Sequence, residues 1–190
     1  MNSFMKNIWD NKAFIKTIQN GGVAVMPTDT LYGIVGKALQ ESVIERIYSI
    51  KQRKPDKPCI ILIGNIKELK NFSVILSSAQ ESELKKYWPG PISIILDCYN
   101  DSLKYLHRGT RTLAFRLPIN ASLRKLLMAT GPLNAPSANL EGLPPAQNIK
   151  QAQEYFGDLV DLYIGEGEIS GPASKVLRLH KGGSVSILRE

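Results

Sequence analysis

The sequence predicts an α/β fold: a single domain with a twisted, mixed sheet flanked by helices. Three features of the chain point to it. Helical and strand-like apolar patterns alternate along all 190 residues. The strand-like runs are short and apolar throughout, as in a largely buried sheet. No repeat, low-complexity tract or linker divides the chain, so residues 1–190 are taken as one domain.

In chain order, Asn11 to Asn20 places Phe14, Ile15 and Ile18 at helical spacing, and Gly21-Gly22 stops the helix. Val23 to Met26 is a strand ending at Pro27, followed by the polar turn Thr28-Asp29-Thr30. Glu41 to Arg53 is an amphipathic helix with Val43, Ile44, Ile47, Tyr48 and Ile50 on one stripe. Cys59 to Ile63 is a strand. Ser78 to Tyr87 is a helix stopped by Pro89-Gly90-Pro91. Ile92 to Leu96 and Thr112 to Phe115 are strands. Ala121 to Thr130 is a helix with Gly131 just past its end. Short Leu133-Asn134-Ala135 opens a Pro-, Ser- and Asn-rich loop that runs to Pro145. Asn148 to Phe156 is a helix ended by Gly157, and Val160 to Ile164, Val176 to Leu179 and Val185 to Leu188 are strands. Gly165 to Ser174 is the most loop-like interior stretch.

Apolar residues make up 43% of the chain, enough for a sizeable core, and no apolar run approaches the length of a membrane span. The first residues, MNSFMKNIWD, lack the apolar centre of a secretory signal. Cys59 and Cys98 sit in apolar runs without a CxxC pair and read as buried thiols in a reducing compartment. A cytoplasmic protein is expected. Lys and Arg number 24 against 17 Asp and Glu, a net charge of +7. That excess fits either a lysine-rich surface or a polyanionic or phosphorylated partner.

Several chemistries lack their residues. There is no GxxxxGK[ST], no GxGxxG after a strand and no HExxH. His107 and His180 lie in polar surroundings and read as surface residues. No metal site is expected. What remains is Lys, Arg, Ser, Thr, Asn and backbone N–H groups, a set suited to phosphate chemistry, where positioning and charge stabilisation dominate.

The stretch SIKQRKPDKP, Ser49 to Pro58, packs Lys51, Arg53, Lys54 and Lys57 against one acid, Asp56. Cations at a helix C-terminus complement its dipole, by about 0.3–1 kcal/mol each, and that alone could explain them. Yet Pro55 and Pro58 stiffen the segment, and it leads into a buried strand, so that the cluster is expected at a sheet edge. Other polar turns lie at strand ends: Thr28-Asp29-Thr30, Arg116, and Ser137-Ala138-Asn139. Each has a local explanation as a turn or salt bridge; together they would form a concave site of cations and hydroxyls.

The segments VAVMPTDTLYGIVGKA, IYSIKQRKPDKPCIILI, WPGPISIIL, TLAFRLP, NAPSANLEGLPPA and SKVLRL with SVSILRE occur in the order and near the spacing of the YrdC-type domain. From about Val23 onward the chain resembles the threonylcarbamoyl-AMP synthases. The combination of PTDTxYG, KxR and SxN is the specific part. The resemblance implies a twisted α/β sheet around a positively charged cavity. It also implies a nucleotidyltransferase that makes threonylcarbamoyl-AMP and pyrophosphate from L-threonine, bicarbonate and ATP, with Mg2+ carried by the ATP. The adenylate would serve N6-threonylcarbamoyladenosine formation in tRNA through partner proteins, with direct tRNA binding by this chain left open.

Residue by residue, the resemblance implies that Lys51 and Arg53 face the nucleotide phosphates as the catalytic pair, with Lys57 a nearby nucleotide contact. Ser137 and Asn139 match the SxN nucleotide contacts, Thr112, in a strand-end pair with Arg116, a further nucleotide contact, and Arg189 an arginine able to reach the nucleotide. Thr30, Arg116, the Ala135 backbone and Ser174 match the threonine site, Arg116 holding a carboxylate. This chain departs from the family in having Lys54 before Pro55, Leu62 where a histidine is common, and Lys175 after Ser174. Ending at Glu190, it is expected to be the short form. An RNA-binding module, a carbamoyl-transfer relative from metalloenzyme maturation and a paralogue of other activity are the competing readings at this level.

Overall fold

The computed structural model describes residues 8–165 and 167–190, which leaves most of the opening segment and Glu166 of the loop-like stretch outside the described residues. Helix α1 (Lys12–Gln19) starts where the Asn11 side chain accepts a hydrogen bond from Phe14 N, and it buries Phe14 and Ile18. Strand β1 (Ala24–Pro27) pairs antiparallel with β2 (Tyr32–Lys37). The sequence reading had no strand at β2, because Gly33 and Gly36 break its apolar pattern. The glycine is required at Gly36: a Cβ there would collide with Val43 Cγ1 of the helix packed on the strand.

That helix, α2 (Glu41–Lys51), ends two residues before the expected Arg53. Gln52 takes a left-handed conformation with φ 50°, and Arg53 N closes the turn on Tyr48 O at 3.0 Å. Pro55 keeps the next residues out of helix. Then follow β3 (Ile60–Leu62), a tight helical turn at Ile66–Phe72, α3 (Ser78–Leu84), β4 (Ile92–Asp97) and α4 (Lys104–His107). The chain continues through β5 (Thr112–Arg116), α5 (Ala121–Thr130), β6 (Leu133–Asn134), α6 (Ile149–Phe156), β7 (Leu162–Tyr163), β8 (Lys175–Leu179) and β9 (Val185–Arg189). The Ile66–Phe72 turn and α4 were not expected. His107, read as a surface residue, ends α4 at 2% exposure, a correction with a local cause: the short helix turns its last residue inward.

Among the described residues nine strands form one mixed sheet in the order β7-β1-β2-β6-β3-β5-β4-β8-β9. Pairs β1/β7, β3/β5 and β4/β8 are parallel and the others antiparallel. Cys59 and Cys98 are buried and free. No described helix is long and apolar enough to cross a membrane.

The sheet is covered unevenly, and this positions the site. Around β1 both faces are packed: Val23 and Val25 join a cluster with α2 and α6, while Ala24 and Met26 join one with α1 and α5. Around β5 only one face is packed. Leu113 and Phe115 enter the largest cluster with Ile94, Leu96, Leu177 and Leu179, and Phe115 meets Phe72 edge-on at 5.1 Å. The alternate residues Thr112, Ala114 and Arg116 face the other way and line a cavity. The expected sheet-edge location is therefore corrected: the cavity lies on the bare face of the sheet, with the basic segment forming one wall.

Candidate functional site

The cavity has a volume of about 520 Å³. A larger groove of about 700 Å³ elsewhere is lined by Leu69, Val74, Leu84 and Trp88, and its charged lining residues, Lys67, Lys70, Lys85 and Glu81, mix both signs and come with no hydroxyl side chain. In the sheet-face cavity the only charged lining residues among those described are three arginines, Arg53, Arg116 and Arg189. Thr28, Thr30, Thr110, Thr112, Ser137 and Ser174 add hydroxyls. Three cations without an acid in the lining, around hydroxyl donors, make a site for an anion.

Arg116 closes the end of β5 at 4% exposure. Its NH2 lies 2.9 Å from Asp29 Oδ1 and donates to Thr28 Oγ1 at 3.1 Å, while Asp29 Oδ2 accepts from Ile119 N at 3.3 Å. The β1–β2 turn thereby fixes the guanidinium. Burial lowers the Arg116 pKa, the Asp29 carboxylate opposes that shift, and the Arg189 charge adds to it. Nε of Arg116 is buried with no hydrogen-bond partner among the described residues. A guanidinium held from one side, with a spare donor beside a cavity, is set up to take a carboxylate.

The opposite wall is the segment after β6. Ile34 N donates to Pro136 O at 3.0 Å and Ala138 N to Tyr32 O at 2.8 Å, which docks Ala135 to Ala138 along β2. Lys51 holds this segment from below at 1% exposure. Its Nζ donates to Ser137 O at 2.6 Å, Asn139 O at 2.5 Å and Asn139 Oδ1 at 3.3 Å. Ser137 Oγ donates to Asn139 Oδ1 at 2.6 Å, and Asn139 Nδ2 donates to Leu140 O and Leu143 O, each at 2.8 Å. Burial, and after it the neighbouring Arg53 charge, lowers the Lys51 pKa to about 8.

Arg53 is aimed by the backbone: Nε donates to Lys57 O and NH2 to Pro58 O, each at 3.1 Å. At the far side, Arg189 donates through Nε and NH2 to Ser174 O at 3.0 and 2.7 Å, and Ser174 Oγ meets Ser93 Oγ at 2.9 Å.

The structure thus brings Thr30, Arg53, Thr112, Arg116, Ala135, Ser137, Ser174 and Arg189 to one cavity. Lys51, Lys57 and Asn139 do not line it: Lys51 and Asn139 brace the wall, and Lys57 pairs with Glu141 at 2.6 Å near its rim. Sequence reasoning did not single out Asp29 as the partner of Arg116, nor Thr110, nor Glu141. The T-x-T spacing of Thr110 and Thr112 was a usable sign; the Glu141 pairing spans 84 residues of chain to Lys57 and left none. Among the described residues no group of three or more His, Cys, Asp or Glu side chains could hold a metal ion.

A family model for Sua5, YciO and YrdC proteins, described as telomere recombination, matches residues 16–190. The threonylcarbamoyl-AMP synthase of Pyrococcus abyssi is 30% identical over 161 residues, 84% of this chain and 47% of that protein. The threonylcarbamoyl-AMP synthase of Marinobacter nauticus is 32% identical over 151 residues, 78% of this chain and 80% of that protein. The crystal structure of P. abyssi Sua5 complexed with L-threonine superimposes with a TM-score of 0.86 at 29% identity, covering 96% of this chain and 54% of that one. The chain therefore spans about half the length of the P. abyssi relative and most of the M. nauticus one.

Proposed function

The chain belongs to the Sua5/YciO/YrdC family, and from that membership and the cavity we propose that it is a nucleotidyltransferase making threonylcarbamoyl-AMP from L-threonine, bicarbonate and ATP. The observation that carries the reading is the convergence of Arg53, Arg116 and Arg189 on one cavity without an acid in its described lining. Two anions must meet there, a polyphosphate and an amino-acid carboxylate, and like charges repel unless cations stand between them.

In this reading Arg116 takes the threonine carboxylate, with Thr30, the Ala135 backbone and Ser174 around the rest of the amino acid. Arg53 and Arg189 take the phosphates, with Thr112 and Ser137 as hydroxyl contacts. Lys51 and Asn139 act through the wall that carries Ser137, and Lys57 meets the polyphosphate at the rim. The threonine amine adds to bicarbonate, losing water, to give a carbamate. A carbamate oxygen then attacks the α-phosphorus of ATP; the new P–O bond forms as the bond to the β-phosphate oxygen breaks, and pyrophosphate leaves. The arginines lower the repulsion between nucleophile and phosphate. Mg2+ enters with ATP and shares the charge of the leaving pyrophosphate. Neither histidine lines the cavity, so the amine enters deprotonated in this scheme. The adenylate would pass to partner proteins that modify tRNA, and a cytoplasmic location suits that role.

The test is isotopic. With 13C-bicarbonate, ATP, Mg2+ and L-threonine, the adenylate should carry one 13C, at the carbamoyl carbon. An unlabelled threonyl adenylate would mean that the threonine carboxylate attacks ATP directly, and would overturn the reading.

A further inference from the structure

We propose that Glu141 is an internal competitor for the polyphosphate: its carboxylate sits on the rim cations and gives way when a polyanion enters. This rests on the reading of the cavity as a polyphosphate site. Glu141 Oε1 accepts from Lys57 Nζ at 2.6 Å, and Oε2 lies 3.5 Å from Arg53 NH1. One carboxylate therefore faces two cations, so a net positive charge remains to draw in an anion.

Arg53 does not depend on Glu141 for its place, whereas the Lys57 ammonium has Glu141 as its partner and is released to an anion when the carboxylate leaves. Arg53 is fixed through Nε and NH2 by the carbonyls of Lys57 and Pro58, which leaves NH1 toward Glu141. The position of Glu141 is in turn set by its backbone, whose N–H donates to Lys51 O at 2.9 Å. The carboxylate can swing away without disturbing either wall. Its 3.5 Å approach to Arg53 is loose beside the 2.7–2.9 Å of a charge-assisted hydrogen bond. A phosphate, with several oxygens, can improve on it. The Lys57 side chain is half exposed, so the pair at the rim is solvent-screened and cheap to break. Lys57 holds the Glu141 carboxyl below its usual range, so the competitor stays charged at neutral pH.

Substituting glutamine keeps the shape and removes the charge. Glu141→Gln should bind inorganic pyrophosphate about two- to fivefold more tightly than the wild type at low salt, with the gain shrinking as salt rises. Titration calorimetry with pyrophosphate, on wild type, Glu141→Gln and Arg53→Ala, reads this directly. Weaker binding by Glu141→Gln would show that the carboxylate braces the cations instead, and unchanged binding would show that it does not compete; either overturns the inference. Arg53→Ala separates the two levels. If it weakens pyrophosphate binding while Glu141→Gln does not tighten it, only the role of Glu141 falls. If Arg53→Ala changes nothing, the polyphosphate assignment falls with it.

Discussion

Arg116→Met is expected to cost about 3–5 kcal/mol of stability and to raise the L-threonine KM about ten- to a hundredfold. The two effects have different origins. The Arg116 and Asp29 side chains are 5% and 3% exposed, so removing the cation leaves a buried carboxylate without its partner. The KM effect comes from losing the guanidinium that meets the substrate carboxylate. Adding Asp29→Asn should separate them, because the amide keeps an acceptor for Ile119 N while removing the stranded charge. The double variant should recover most of the stability and none of the threonine affinity. Chemical denaturation and initial-rate kinetics on the two variants decide it. Native-like threonine dependence in the folded double variant would make Arg116 structural only.

Lys51→Met carries the second large effect. It strips the donor from Ser137 O, Asn139 O and Asn139 Oδ1, and charge-assisted bonds of this kind are worth about 1.5–3 kcal/mol. Turnover should fall about ten- to a hundredfold through the wall that carries Ser137. The pH dependence of stability gives an independent readout. The folded-state pKa of Lys51 is lowered to about 8 from its ordinary 10.5. Between those values the unfolded chain holds the proton that the native state has lost. Native stability should therefore gain from this site as pH rises through that window, by up to about 3 kcal/mol, and the cost of burying the charge is felt in full below it. The difference between wild-type and Lys51→Met denaturation free energies, measured from pH 7.5 to 10.5, should carry this slope. A flat difference would mean that the ammonium keeps an ordinary pKa.

Lys51 also shows what was legible in the sequence. It was grouped with Arg53 as a phosphate cation, yet it stands four residues after Ile47 and so falls on the apolar stripe of its helix, where a lysine must find partners inside. The stripe gave its burial; the partners come from a loop 86 and 88 residues later, which no local pattern reveals. Helices such as Ala121–Thr130 were readable because their ends carry chemical stops: Asn120 accepts from Ser122 N and Leu123 N, and Gly131 has φ 81°. Strand β2 was hidden because its Gly36 answers to the approach of α2, a tertiary demand. His107 was misread because nothing in Arg108-Gly109-Thr110 after it signals that the short helix α4 buries its last residue. The cavity residues were recognised by type and by the KxR and SxN resemblance. That they converge on a bare sheet face follows from which helices cover which half of the sheet, which only the assembled fold shows.

The most direct measurement of the proposed chemistry is pyrophosphate release by the purified protein, with each substrate omitted in turn. ATP, Mg2+, L-threonine and bicarbonate together should give release, and withdrawing either L-threonine or bicarbonate should abolish it, because the carbamate is the nucleophile. Added tRNA should not be needed, since the adenylate forms before any transfer. Release that persists without threonine, or none in the complete mixture beside tight, salt-sensitive tRNA binding, would contradict it.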